Sequence, residues 1–324
     1  MNGPRILVKV PASTANLGPG FDALGMALSL FAWIEMQAAS ETSITMFGDG
    51  MEDIPTDKTN LIYKVAQLVF EEAGVAVPEL SITMYSDIPL TRGLGSSASA
   101  IVGALVAANA LVGSPLTNDR LFQIATKLEG HPDNVGASLF GGIVVSAWDG
   151  ERADHVRIEP HTSLETLVAV PSFQLSTEKA RHALPKTLNM SDAVFNVGRS
   201  SLLVAALSAG RLDLISTAMR DRLHQPYRAP LIPGMSTILE HAAEHGALGA
   251  ALSGAGPTII TFVDGISDRK KELEQFLKDT FAAEGIEAET IWLQPCKQGT
   301  QWRQISESDE TPLMDRIRNE VRAK

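Results

Sequence analysis

Pro89-Leu90-Thr91-Arg92-Gly93-Leu94-Gly95-Ser96-Ser97-Ala98-Ser99 joins a run with the period of a strand to a run with the period of a helix. Upstream, Leu80 to Ser86 alternates apolar and polar residues, the pattern of a half-buried strand. Downstream, Ala98 to Val112 carries Ala, Val, Ile and Leu at helical spacing. A helix starting at Ser96 or Ser97 aims its free backbone N–H groups and positive dipole end back into the glycine turn. An anion binds there without a lysine. Gly93 and Gly95 let the backbone approach oxygen atoms that a Cβ would exclude. The stretch reads as a phosphate cradle.

Three other readings compete. A P-loop requires a lysine before its hydroxyl residue, and this turn has none. Gly93-x-Gly95-x-x-Ala98 satisfies a dinucleotide fingerprint, but helical periodicity continues to about Leu128, where that fold wants a second strand ending in an acid. A plain glycine-serine turn without a ligand is the third.

Gly93-Leu94-Gly95-Ser96-Ser97-Ala98 resembles, without a gap, the second motif of the GHMP small-molecule kinases. Pro11-Ala12-Ser13-Thr14-Ala15-Asn16-Leu17-Gly18-Pro19-Gly20-Phe21-Asp22 is similar to their first motif in the form typical of homoserine kinases. Ala250 to Thr258 matches the third, a glycine-rich turn between two strands. The three occur in the family's order over roughly residues 5–295. The resemblance implies an α+β GHMP-kinase fold, with a ribosomal-protein-S5-like N-terminal domain over 1–160 and a ferredoxin-like C-terminal domain over 161–298. It also implies ATP and Mg²⁺ as cofactors, and phosphoryl transfer to the side-chain hydroxyl of L-homoserine in threonine biosynthesis. Alternatives on the same fold are another small-alcohol kinase, such as one for mevalonate, and a non-catalytic metabolite sensor.

Site residues follow from the resemblance position by position. Asn16 and Asp22 would face the amino acid, and His131 and Asn134, in Glu129-Gly130-His131-Pro132-Asp133-Asn134-Val135, would lie beside the substrate, Asn134 near the reacting hydroxyl. Arg181, in Leu175-Ser176-Thr177-Glu178-Lys179-Ala180-Arg181, and Arg228, in His224-Gln225-Pro226-Tyr227-Arg228, would grip the α-carboxylate. Catalysis would rest on Asn134, Arg181 and Arg228. ATP would be held by Pro89, Leu90, Thr91, Arg92, Gly93, Leu94, Gly95, Ser96, Ser97, Ala98 and Ser99, with Asn60 either near the adenine or simply starting its helix. Where relatives carry the Mg²⁺ carboxylate this chain has Gln123, so either Glu129 takes over that role or the metal is held chiefly by phosphate oxygens, a hydroxyl of Ser97 or Ser96, and water.

The rest of the chain bounds the setting. Its 324 residues are enough for about two domains. A net charge of −11 argues against holding nucleic acid or an anionic membrane. Cys296 is the single cysteine, which excludes an internal disulfide or a cysteine-based zinc cluster and predicts a cytoplasmic protein. No targeting segment is visible, and a homodimer is left open. Strands are expected at Ile6–Val10, Leu28–Ala38 and Ser43–Phe47, with a loop over Pro11–Gly25. A helix capped by Thr59 should start at Asn60, and Ser176 or Thr177 should cap the helix carrying Arg181. The acid, imidazole and amide of 129–136 are expected in a loop, and residues 299–324 as a polar tail outside the core.

Overall fold

The computed structural model describes residues 4–306 and 308–322, the last three by backbone only. The first half runs β1 (Arg5–Ala15), β2 (Leu24–Ala39), β3 (Ser43–Phe47), α1 (Leu61–Glu72), β4 (Glu79–Ser86), α2 (Ser96–Leu111), α3 (Asn118–Glu129), α4 (Asp133–Phe140), β5 (Ile143–Trp148) and β6 (Ala153–Ile158). The second runs β7 (Leu164–Pro171), α5 (Thr177–His182), α6 (Met190–Ala209), α7 (Ile215–Ala218), α8 (Gln225–Arg228), α9 (Met235–His241), β8 (Gly249–Leu252), β9 (Ile259–Asp264), α10 (Lys270–Ala283) and β10 (Ala288–Leu293). The chain then returns to the first sheet as β11 (Gln301–Ile305) and ends in α11 (Leu313–Arg322).

The first sheet has seven strands in the order β11-β1-β2-β4-β3, with β5 pairing β2 and β6 pairing β5. One bulge organises it. The register between β1 and β2 shifts between Pro11 and Ala12, so Pro11 faces Phe31 and Ala12 faces Leu28. A proline without an N–H is tolerated at such an irregularity. Beyond it β2 serves two partners, pairing β4 over Ala32–Ala39 and β5 over Leu24–Met26. Helix α2 packs against β1, β2, α1, α3 and α4. Its Ala98, Ile101, Val102, Ala104, Leu105, Val106, Ala107 and Ala108 are buried around the whole helix, as its composition of small and aliphatic residues requires.

The second sheet is antiparallel, in the order β10-β7-β9-β8. Its sequence of strand, helices, two strands, helix, strand gives the ferredoxin-like arrangement. Among the described residues no helix is long and apolar enough to cross a membrane.

Several expectations are corrected. β1 continues to Ala15, so the first motif's loop spans only 16–23, because Pro11–Ala15 keeps its ladder with β2. The cap of α1 is Asn60 in place of Thr59, since the Asn60 side chain accepts from Ile62 N. Asp133 and Asn134 open helix α4 instead of lying in a loop. The largest correction concerns residues 299–324. The described ones pack on the first sheet: β11 pairs antiparallel with β1 from Arg5↔Ile305 to Lys9↔Gln301, and Leu313 and Ile317 of α11 bury against Leu7, Trp33 and Ile305.

Candidate active site

The three glycine-rich segments meet by hydrogen bonding to one another. Ser13 N donates to Leu94 O at 3.2 Å, Gly254 N to Ala15 O at 3.1 Å and Thr258 N to Arg92 O at 3.2 Å. Ser253 Oγ lies 2.6 Å from Gly93 O and 2.9 Å from Thr14 Oγ1. The Gly93 carbonyl can only accept, so Ser253 donates to it and receives from Thr14. These contacts give the glycines their reason. A Cβ on Gly95, whose φ is +73°, would stand 2.1 Å from Ser13 Oγ, and one on Gly93, at +82°, would stand 2.3 Å from Ser253 O. Left-handed backbone also occurs at Asn16, Leu17, Asp22 and Thr91. Strain of this kind persists where surrounding contacts over-determine it.

Around this junction lies a pocket of about 140 Å³ lined by Asn16, Asp22, Thr91, Gly95, Ser96, Ser97, Glu129, His131, Asp133, Asn134, Arg181 and Arg228, among others. Drug-sized ligands occupy pockets of roughly 300–1,000 Å³, so this one suits a much smaller molecule. Helix α2 points its N-terminus into it from Gly95, with no side chain capping the first amides.

The charged groups are arranged in two ways. Arg181 forms a bidentate pair with Asp22, Nη1 to Oδ2 at 3.0 Å and Nη2 to Oδ1 at 2.8 Å, which raises the guanidinium pKa. Arg228 is 1% exposed, and burial, followed by repulsion from Arg181, brings its pKa down to about 10. Asn16 closes its own loop, Oδ1 accepting from Asp22 N at 2.9 Å and Nδ2 donating to Gly254 O at 2.9 Å. Asn134 Oδ1 accepts from Ser13 Oγ at 2.9 Å.

His131 Nδ1 is 2.6 Å from Asp133 Oδ1. Burial opposes the imidazolium, but the Asp133 hydrogen bond and the charges of Asp133, Asp22 and Glu129 outweigh it and raise its pKa. Ser97 Oγ donates to Glu129 Oε2 at 3.1 Å, and burial pushes the Glu129 carboxyl up. Their oxygens suit a hard cation such as Mg²⁺. Asp22, His131 and Asp133 also place one donor atom each within 4.8 Å of one another. That set is poorer for a cation, because Asp22 is committed to Arg181 and His131 to Asp133. Gln123 is bonded to both backbone groups of Ala153 and ties α3 to β6.

Not every expected residue reaches the pocket. Leu94, Ala98 and Ser99 are fully buried, and Leu90 packs on the core. Pro89 and Arg92 line a separate cavity of about 620 Å³ shared with 170–172 and 287–289, where Arg92 Nη2 donates to Ser172 O at 2.8 Å. Asn60 takes the helix-start role: it is 1% exposed, its Oδ1 accepts from Ile62 N and its Nδ2 donates to Pro55 O, and it does not line this pocket. Sequence reasoning missed Ser13, Asp133 and the buried Asp221–His224 pair. Each lies inside or beside a matched motif, but only the fold shows where it points.

Residues 60–142 match the family model of the GHMP kinases N terminal domain, and 203–283 that of the GHMP kinases C terminal domain. Fold and site together define an ATP-dependent kinase of this superfamily. The chain is 46% identical to the homoserine kinase of Moorella thermoacetica over 90% of its length and 98% of that protein's. It is 45% identical to that of Carboxydothermus hydrogenoformans, covering 91% and 95%. The crystal structure of homoserine kinase from Cytophaga hutchinsonii superposes with a TM-score of 0.84 at 29% identity, covering 92% of this chain and 97% of that one. The chain belongs to the homoserine kinase family.

Proposed function

We propose that the chain transfers the γ-phosphoryl group of ATP to the side-chain hydroxyl of L-homoserine, giving O-phospho-L-homoserine and ADP. One observation carries the choice of acceptor: Asp22, Arg181 and Arg228 converge on a pocket of about 140 Å³. Two guanidinium groups and a carboxylate suit a small zwitterion better than a plain acid such as mevalonate. Binding exchanges partners: the substrate's carboxylate meets Arg181 and Arg228 while its ammonium meets Asp22, so both substrate charges find an opposite charge.

Phosphoryl transfer asks the protein mainly for alignment and charge neutralisation. The first amides of α2 and the backbone of 93–97 receive the terminal phosphates, with Thr91, Ser96 and Ser97 among the residues that line the pocket. Asn134, held by Ser13, orients the hydroxyl, and His131, fixed by Asp133, flanks it. Ser97 and Glu129 would hold Mg²⁺, which would supply positive charge to offset that of the phosphates. The expected setting is the cytoplasm, and light scattering decides between monomer and homodimer. The reaction is tested by ADP release from purified protein with ATP, Mg²⁺ and a panel of alcohols. Turnover of homoserine well above mevalonate supports the reading; turnover of mevalonate first, or of no alcohol, overturns it.

A further inference from the structure

Every hydrogen-bond partner of Arg228 is electrically neutral. Nε donates to Ala180 O at 3.2 Å, and Nη1 donates to Gly254 O at 3.1 Å and to His224 Nδ1 at 3.3 Å. Among the described residues, no hydrogen bond falls on Nη2. The contrast with Arg181, neutralised by Asp22, is chemical. A carboxylate bonded to Arg228 would compete with an anionic ligand, whereas neutral acceptors fix the fork and Asp22, Asp221 and Asp133 act on its charge only through space.

His224 is the one side chain in that set, and its state follows from geometry. Nε2 lies 2.7 Å from Gly18 O, a carbonyl that can only accept, so Nε2 carries a proton. Nδ1 faces a guanidinium nitrogen that can only donate, so Nδ1 carries a lone pair. Both conditions hold only for the neutral imidazole protonated at Nε2. The ring is 0% exposed and stacks on Phe21, with centroids 5.1 Å apart. Asp221 approaches Nε2 to 3.6 Å, but its oxygens already accept from Asn196 Nδ2 and from the amides of Leu223, His224 and Gln225.

We infer that His224 is a positioning residue: it ties Arg228 to the Gly18 turn of the first motif, so that one nitrogen of a buried guanidinium with no carboxylate hydrogen-bonded to it is presented to the substrate carboxylate. This rests on the assignment of Arg228 to that carboxylate. His224→Phe keeps the ring on Phe21 and removes both hydrogen bonds; His224→Gln can restore a donor and an acceptor.

Losing an orienting bond to a charged group should raise KM for homoserine about 10- to 100-fold. KM for ATP and turnover of 3-amino-1-propanol, which lacks the carboxylate, should move less than about 3-fold, a shift of under 1 kcal/mol. His224→Gln should recover most of the loss. An unchanged KM for homoserine in folded His224→Phe overturns the inference, as does an equal loss on both substrates. If His224→Phe does not fold, His224→Asn, too short to span Gly18 and Arg228, is judged by the same criteria. Arg228→Ala separates the two levels. If it lowers both substrates equally, the carboxylate assignment falls; if it is selective and the His224 variants are not, only the role of His224 falls.

Discussion

At the scale of single residues, the two arginines that looked equivalent in sequence are unequal in the fold. Arg181 is bidentate to Asp22 and about a third exposed, whereas Arg228 is buried among neutral acceptors. Replacing either by Ala takes a charged donor from the substrate carboxylate, at about 2–5 kcal/mol, or roughly 30- to 4,000-fold in kcat/KM for homoserine. Arg228→Ala should be the larger loss, since solvent and Asp22 already temper the field of Arg181; steady-state kinetics showing the reverse order would sink this ranking. His131 gives a second prediction. Its folded pKa is raised above 6.5 by Asp133 against burial, so its pairing stabilises the fold fully below pH 6.5 and is lost as pH rises through the folded value. In Asp133→Asn the burial stays and the main counter-charge goes, so an NMR titration should place His131 lower. An unmoved titration would show that other charges hold the proton.

At the scale of elements, the turn between β4 and α2 has two tasks. Its glycines admit phosphate, as their positions in the sequence suggest, but they also let the turn lie flat on β1 and on the β8–β9 turn. Gly95→Ala should therefore weaken ATP binding and also destabilise the protein. The left-handed conformation costs a β-carbon about 1–2 kcal/mol, and the approach to Ser13 Oγ adds to that. A variant with a wild-type urea midpoint that fails to bind ATP would assign the glycine to the nucleotide alone. The motif was legible because its chemistry is local: an anion site needs a helix start, small residues and no capping side chain. The role of Asn60 was not, because an asparagine at a helix start caps or binds according to what the preceding loop offers, here Pro55 O.

At the scale of the molecule, the last residues complete the first sheet. β11 covers the edge of β1, and α11 covers its outer face, where Leu7, Trp33, Ile305, Leu313 and Ile317 bury together. A charged network holds the layer: Arg316 pairs with Asp309 and approaches Glu35, which Arg5 also approaches. Burial raises the Glu35 carboxyl against both arginines. Each buried side chain of this kind is worth roughly 1.5–3 kcal/mol, so removing the layer subtracts a large share of a typical margin of about 5–15 kcal/mol. Truncation after Gly299 should lower the melting temperature markedly and expose an aggregation-prone edge at β1. A truncated protein as stable and soluble as the full chain would mean that β11 and α11 rest on a sheet complete without them.

The sequence by itself determined what is written in contiguous residues: the three glycine-rich segments, the α+β class, and the two arginines, the asparagines and the acid that converge on the pocket. Such features are local in physics, set by backbone freedom at glycine, helix ends and side-chain charge. Only the tertiary structure decided which of them touch. It paired Arg181 with Asp22 across 159 positions, left Arg228 with neutral partners, seated His224 on Gly18, and folded a polar C-terminal stretch onto β1. Those outcomes depend on contacts between residues far apart in the chain. There a strand as polar as Gln301–Ile305 gains its place from a ladder of backbone hydrogen bonds, a force to which its side chains give no clue.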